Sequence, residues 1–322
     1  MRPWSRPGFW LPLGAVFVWG LVVLLLREDT LRETTFTVMM FVGMASSLNI
    51  LLGYTGYVSF GHIVFFGLGG YFGFYLLSQQ GLWLLPAAVA GGLLSGLLAG
   101  LLGLAVLRLR GAYFALATIG INEAARAFVS NFGPFGGATG LFVNFQAYQA
   151  YGGAGAALWT TFIYLWLVTL AVLLVSALVQ GSRFGLGLMA IREDEDAAMV
   201  MGVAAPRAKT IAFMLSAFFP GIIGTLYFFK NGNVEPGDAF QLHMSIEALV
   251  MIMLGGQGTV VGPALGAVVY QGLRGYLLTS PLFKSLHLAM AGIFLLLIVL
   301  FVPAGAVGWL RHRFPRLRKV LT

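Results

Sequence analysis

The sequence is a succession of long apolar runs separated by short segments that hold most of its charge. A helix needs about 20 mostly apolar residues to cross the hydrocarbon core of a bilayer, so such runs predict transmembrane helices. The regular runs are residues 10–26, 35–52, 83–107, 113–129, 158–179, 211–229, 260–278 and 286–302. A glycine-rich stretch at 48–71 and a short run at 243–254 bring the predicted crossings to about ten. We therefore predict an all-α, polytopic integral membrane helical bundle.

The composition excludes a soluble protein of this length. Hydrophobic residues make up 59% of the 322 residues and charged residues 9%, and the mean hydropathy is +0.90. A soluble fold could not bury that much apolar surface, so the bilayer must cover it. The chain has no cysteine, which excludes disulfides and thiolate chemistry.

The distribution of basic residues predicts the orientation. With ten crossings both termini lie in the cytoplasm, and thirteen Lys and Arg then fall in inside segments against four in outside loops. The net charge of +8 therefore reflects membrane orientation rather than nucleic-acid binding. The first run lacks a small-residue cleavage site, so we expect it to be retained as a span. Residues 243–278 remain open between two crossings and one crossing plus a re-entrant piece.

Residues 181–209, here called the coupling segment, hold more charge than any other internal segment. Helical spacing places Leu188, Ile191 and Glu195 on one side of a predicted helix at 188–202. An apolar patch is predicted at Ala198, Met199, Met201 and Val203. Such an amphipathic helix between two spans is suited to docking a soluble partner, although an ordinary loop has the same pattern. The chain is otherwise a single transmembrane domain, 1–322, with a basic cytoplasmic tail at 310–322.

The stretch 48–71 contains Asn49, Ser59 and His62 among several glycines. Glycine costs a helix on the order of 1 kcal/mol relative to alanine, so the stretch predicts a turn and a kinked helix. Irregular backbone in a membrane is tolerated where protein or a water-filled path satisfies it. The stretch therefore indicates either a pathway lining or tight helix packing, and the two are compatible.

The run at 113–129 contains Glu123 and Arg126, which at this spacing can form an ion pair. Ionisable groups within a span usually face a cavity or each other, so both a structural pair and a role in the pathway stay open. Asn49, Ser59, His62 and Glu123 are our candidates for lining a pathway.

The run at 83–107 carries Gly92, Gly96 and Gly100 in two consecutive G-x-x-x-G spacings. Small residues at this spacing let two helix backbones approach closely in a membrane. The pattern predicts a helix–helix contact face.

Several motifs resemble those of one family, the branched-chain amino acid permeases of ABC importers. The motifs are A-I-R-E-x-E-x-A-A-x-x-x-G at 190–202, L-N-x-L-x-G-x-x-G-x-x-S-x-G-H at 48–62, G-G-x-G-T-x-x-G-P-x-x-G-A at 255–267 and F-V-P-A-G-x-x-G at 301–308. Residues 108–126 are also similar to the family, and 136–141 resemble its T-G-G-x-x-G-[LI] element with Phe135 in place of threonine.

The resemblance implies a permease subunit for branched-chain or related amino acids in the bacterial inner membrane. It implies three kinds of partner: a related permease, with a heterodimer expected, two ATP-binding subunits and a periplasmic substrate-binding protein. It also implies that the coupling segment sits in a cleft of an ATP-binding subunit and transmits its movement. The residues expected to couple are Arg192, Glu193, Glu195, Ala197, Ala198 and Gly202.

No catalytic chemistry is indicated by the sequence. It lacks a Walker A motif, its four histidines show no metal-ligand spacing, and we expect no cofactor and no enzymatic activity. Three alternatives stay open: an ion-coupled secondary transporter, an ABC permease for urea or short amides, and a membrane scaffold. The secondary transporter does not explain the coupling segment. The glycine-broken stretch 48–71 disfavours the membrane scaffold.

Overall fold

The computed structural model describes residues 7–279 and 305–308, and most of this chain is helical. The long helices are α1 (Pro7–Leu26), α2 (Asp29–Thr55), α3 (Ile63–Gln80), α4 (Leu84–Val106), α5 (Ala112–Asn131), α7 (Ala154–Gln180), α10 (Ala205–Asn231), α12 (Leu242–Gly255) and α13 (Val261–Thr279). The short helices are α6 (Phe145–Gln149), α8 (Arg183–Glu193), α9 (Glu195–Val200) and α11 (Pro236–Ala239). Strands β1 (Leu141–Phe142) and β2 (Asn233–Val234) pair antiparallel.

Five stretches of the described chain are long and apolar enough to cross a membrane: α2, α4, α7, α10 and α11 with α12. The first predicted run, 10–26, is a shorter apolar helix. The prediction of an all-α membrane protein is thereby confirmed. The predicted last span at 286–302 and the tail at 310–322 lie outside the described residues.

Helix α10 lies at the centre of the bundle and packs on α2, α3, α4 and α7. The three glycines of α4 face it, as the G-x-x-x-G pattern predicts. A Cβ on Gly92 would lie 2.5 Å from Ile222 Cγ1, and one on Gly100 would lie 3.0 Å from Met214 Sδ. The small residues therefore let α4 and α10 approach closely.

The opposite side of α4 faces outward. Leu93, Leu97, Leu101 and Leu104 follow helical spacing, and each is more than half exposed in this chain. A row of exposed leucines on a helix that is otherwise packed is typical of a surface that faces lipid tails or another apolar helix.

The loop 56–62 enters the bundle from the end that carries α8 and α9, here called the coupling end. Tyr57 contacts Lys209, whereas His62 bonds to the carbonyl of Ser216, seven residues further along α10. At 1.5 Å per residue the loop climbs about 10 Å into the membrane zone before α3 begins. The predicted break is therefore a loop that starts at Gly56 (φ 77°), and α2 runs without interruption through Gly53.

A second segment with little regular structure enters from the far end. After β2, residues 235–241, which include the one-turn helix α11, run inward until Phe240 O accepts a hydrogen bond of 3.0 Å from Asn122 Nδ2 in α5. Asn122 lies ten residues into α5, about 15 Å from its start. Helix α12 therefore begins well inside the bundle, and α11 and α12 together form the stretch Pro236–Gly255 that is long and apolar enough to cross a membrane.

The two inward segments come together around α5 and α12. The Ile63 N–H, at the start of α3, donates to Ser245 Oγ in α12 over 2.8 Å. Gly61 lies against the Thr118 carbonyl of α5, so closely that a Cβ would overlap it. Protein groups thus satisfy the irregular backbone, as a membrane interior requires.

Candidate functional site

The coupling segment folds as two short helices rather than the one expected at 188–202. Asp194 is extended (φ −157°, ψ 112°), and its Oδ1 accepts hydrogen bonds from the N–H groups of Asp196 (2.9 Å) and Ala197 (3.0 Å). It is therefore the N-cap of α9, just as Ser182 caps α8 by accepting from the Gly185 N–H. A side chain that satisfies two free N–H groups starts a new helix, and this ends the continuous one.

One side of the segment packs onto the bundle. Leu188, Ile191 and Ala198 are buried with Ile50 and Tyr54 of α2. The predicted grouping of Leu188, Ile191 and Glu195 on one side is confirmed, because Glu195 also points inward.

Glu195 joins three elements at the coupling end. Its Oε1 accepts a 2.6 Å bond from Lys209 Nζ of α10, and its Oε2 accepts a 3.2 Å bond from the Tyr57 hydroxyl. Arg110 Nε, in the turn before α5, lies 3.5 Å from the same Oε2. A displacement of α9 must therefore disturb α10, the loop 56–62 and the start of α5.

Lys209 is the buried cation of this cluster and was not among the predicted site residues. Its side chain is 4% exposed, against 14% for Glu195. Nζ also donates to the Tyr57 hydroxyl (2.8 Å) and to Leu107 O (2.9 Å), so three acceptors satisfy it. The sequence did contain a signal for this role, because Lys209 lies within the first turns of an apolar helix. A charged residue in such a place is expected to have an ionic partner.

Arg192 makes a second inward link. Its Nη1 donates to Gly53 O over 2.7 Å, in the last turn of α2, where carbonyls lack helical partners. Nearby, Asn49 is fully buried, donating to Thr259 O and accepting from the Gly258 N–H, both at 3.0 Å. The coupling segment thus contacts the same end of α2 that Asn49 joins to the α12–α13 turn.

Arg110 also forms a surface pair with Asp196, with bonds of 2.9 and 3.3 Å. The hydrogen bond from Arg110, and then its charge, lower the pKa of Asp196. Both side chains are mostly exposed, so the pair adds little stability and serves to orient the first turn of α9.

The other side of the segment faces outward and carries exposed apolar side chains. Val200 and Met201 are 87% and 84% exposed, and Leu186 and Met199 are exposed as well. Among the predicted coupling residues Glu193, Ala197 and Gly202 are exposed, whereas Arg192, Glu195 and Ala198 face inward. Exposed apolar residues grouped on a polar segment are typical of a docking surface.

Ser59 and His62 lie in the interior next to α5. His62 Nε2 bonds to Ser216 O at 2.9 Å, and the Ser47 hydroxyl donates to the same carbonyl. Ser59 Oγ is buried, and no partner for it occurs among residues 7–279 and 305–308. It lines a cavity of about 10 Å³ beside Thr118, just large enough for one water molecule.

Glu123 and Arg126 lie on an open face of α5. Their Oε2 and Nη1 atoms are 3.8 Å apart, and both side chains are about half exposed in this chain. Helix α5 is held to the bundle on its other side by Phe114, Thr118, Asn122 and Val129. The predicted ion pair is confirmed, and of the four pathway candidates Glu123 is the accessible one.

Comparison with known proteins also indicates a membrane transport subunit. The sequence model of the family described as "Branched-chain amino acid transport system / permease component" matches residues 30–303. The permease protein LivM of the high-affinity branched-chain amino acid transport system of Salmonella typhimurium is 30% identical over 301 residues, covering 85% of this chain and 69% of LivM. LivM of Escherichia coli is 29% identical over 315 residues, covering 89% and 72%. LivH of Escherichia coli is 27% identical over 154 residues, about half of each chain. No solved structure matches the chain significantly.

Proposed function

This chain belongs to the family of branched-chain amino acid transport system permease components and is a non-enzymatic permease subunit of an ABC importer, and we propose how it works there. It moves branched-chain or related amino acids across the bacterial inner membrane by alternating access. It pairs with a related permease, receives substrate from a periplasmic binding protein and is driven by two ATP-binding subunits. The observation that carries this proposal is that the coupling segment has two different sides. Its inner side forms an ion pair with the bundle, and its outer side carries exposed apolar residues.

The proposed orientation places the coupling end in the cytoplasm, with about ten crossings and both termini inside. The excess of Lys and Arg in the corresponding segments supports this assignment. Residues 27–33, which join α1 to α2 and include the first turn of α2, then face the periplasm together with β1, β2 and α6.

We propose that the outward side of the segment docks on an ATP-binding subunit. Leu186, Val200 and Met201 supply apolar contact, while Glu193 and Ala197 lie beside them on the same exposed side. Gly202 (φ 93°) turns the chain back toward α10, a conformation that side chains other than glycine rarely adopt.

The inward side then transmits the movement. Closure of the ATP-binding subunits displaces α9, and Glu195 passes the displacement to Lys209, Tyr57 and Arg110. Arg110 lies next to the first turn of α5, whose open face carries Glu123. We propose that this face lines the pathway against the partner permease, while Asn49, Ser59 and His62 support it from behind.

Two variants on opposite sides of the segment test the assignment. Val200→Asp/Met201→Asp should abolish co-purification of the ATP-binding subunit, because two carboxylates would be buried in the docking surface. Glu195→Gln should keep the ATP-binding subunit but reduce ATP-driven uptake, because its inward links weaken. Equal amounts of the permease in the membrane are the control for folding.

The outcomes separate the two roles. If Val200→Asp/Met201→Asp still co-purifies with its ATP-binding subunit, the proposed docking surface is wrong. If Glu195→Gln loses the subunit, the outward and inward sides of the coupling segment do not have separate roles. The substrate class is tested in the complete importer through the uptake of a labelled branched-chain amino acid. Unlabelled leucine, isoleucine and valine should compete with this uptake, whereas urea and short amides should not.

A further inference from the structure

A groove of about 600 Å³ opens on the flank of the coupling end, where the end of α4, the start of α10 and α9 meet. It adjoins the outward side of the coupling segment at Met199 and does not include Leu186, Val200 or Met201 or the open face of α5. The lining residues used below are Leu104, Leu107, Arg108, Met199, Arg207 and Ile211.

The floor of the groove is apolar and continuous with the row of exposed leucines on α4. Leu104 and Ile211 are both exposed, and Leu104 is the last member of the row of exposed leucines on α4. An acyl chain lying along this row therefore reaches the groove without crossing a polar barrier.

The rim of the groove is basic. Four cations line it, and two of them are neutralised, since Lys209 pairs with Glu195 and Arg110 with Asp196. The other two, Arg108 and Arg207, have no carboxylate partner within the part of the chain that the structure describes.

Arg108 is held in place although it lacks a counter-charge. Its Nε donates to Leu104 O over 3.1 Å at the end of α4, and among the described residues no group bonds to its terminal nitrogens. Arg207 lies in the first turn of α10, where the helix dipole also favours an anion. The two guanidinium groups thus border one apolar groove at the depth where a helix leaves the membrane.

We propose that this groove binds an anionic phospholipid of the leaflet on the coupling side. The phosphate is held by Arg108 and Arg207, and an acyl chain lies over Leu104 and Ile211. Basic pockets between helices at a membrane surface bind anionic headgroups, and guanidinium groups match phosphate oxygens in geometry and charge. A zwitterionic lipid offers the same phosphate but adds a cation that the basic rim repels.

The site lies against the coupling device. Lys209 and Glu195 line the same groove, as does Met199 of α9. A bound lipid therefore contacts α9 and α10 together and favours the arrangement in which the two are joined.

The test uses the full-length permease, purified both alone and with the subunits that accompany it, and delipidated in a neutral detergent. Palmitoyl-oleoyl-phosphatidylglycerol or the matching phosphatidylcholine is titrated in, and retained lipid is counted by native mass spectrometry. We expect one phosphatidylglycerol to bind in preference to phosphatidylcholine. Arg108→Gln/Arg207→Gln should weaken it roughly 30-fold, which corresponds to about 1 kcal/mol for each arginine removed.

Two control variants make the result specific. Arg108→Lys/Arg207→Lys keeps both charges and should bind phosphatidylglycerol within about threefold of the unchanged chain. Arg183→Gln removes an exposed cation from the same end but outside the groove and should leave binding unchanged. The thermal unfolding midpoint of each variant in detergent shows whether it is folded.

Three outcomes overturn the proposal. They are equal retention of the two lipids, undiminished phosphatidylglycerol binding by the double glutamine variant, and binding to the isolated chain that disappears when other subunits accompany it. The last result assigns the groove to a protein interface. None of these readouts requires transport, so the proposal can fail while the proposed function stands.

Discussion

The bond between Lys209 and Glu195 predicts an asymmetric response to mutation. Glu195→Met leaves the Lys209 ammonium 4% exposed, with the Tyr57 hydroxyl and Leu107 O as its remaining acceptors and no counter-charge. Breaking a buried pair in this way costs about 3 kcal/mol. Lys209→Met should cost only about 1.5 kcal/mol, because the exposed Arg110 still faces the carboxylate at 3.5 Å.

The double variant Glu195→Met/Lys209→Met should lose less stability than either single variant, and therefore much less than the sum of the two single losses. Both charges are gone, so no uncompensated charge remains, and the loss should be about 1 kcal/mol. The coupling energy between the two sites is then about 3.5 kcal/mol, well above the error of a double-mutant cycle.

Hydrogen exchange of the α9 amides, followed by mass spectrometry, measures this local opening. A cost of 3 kcal/mol raises the exchange rate about 160-fold, and 1.5 kcal/mol raises it about 13-fold. Glu193→Met is the matched control, because Glu193 is exposed and its replacement should change exchange less than threefold. Additive effects of the two single variants, or effects no larger than that of the control, would refute the reasoning.

Three further predictions concern close packing and buried hydrogen bonds. Gly92→Ala should lower the thermal unfolding midpoint, at a cost of about 1–3 kcal/mol, because its Cβ would meet Ile222 at 2.5 Å. Gly96→Ala should be neutral in the same assay, since its nearest neighbour is 3.5 Å away, and equal losses would contradict this explanation. Asn49→Leu should cost about 2 kcal/mol in detergent unfolding, because it removes the side-chain partner of one buried and one part-buried backbone group of the α12–α13 turn. Gly61→Ala should reduce uptake with the ATP-binding subunit still bound, because its Cβ would displace a carbonyl of α5; unchanged uptake would count against this role.

Much of this architecture follows from local patterns. Apolar runs locate the helices because the bilayer imposes their length, and the glycine spacing of α4 identifies the side that meets α10. The inward side of the coupling segment also follows from helical spacing. The break at Asp194 could have been predicted, since an aspartate before Glu195 and Asp196 is a strong N-cap signal.

The remaining features depend on contacts between distant parts of the chain. Tyr57 meets Glu195 across 138 positions, and β1 meets β2 across about 90, so no local pattern contains either pairing. The same holds for Asn49, whose burial against the α12–α13 turn depends on where that turn lies. The predicted apolar patch included Met201 but missed Val200, and the structure divides that patch, because Ala198 faces inward whereas Met199 and Met201 are exposed.

The inward loop 56–62 has a consequence for biosynthesis. The Ile63 N–H is satisfied by Ser245, which the ribosome adds 182 residues later, and at about 5–20 residues per second that delay is about 10–40 s. During this interval the start of α3 lacks its final hydrogen-bond partner, so it cannot settle in lipid at its final depth. We therefore expect that this chain does not insert helix by helix, and that the start of α3 stays at the translocon or near the interface until α12 arrives.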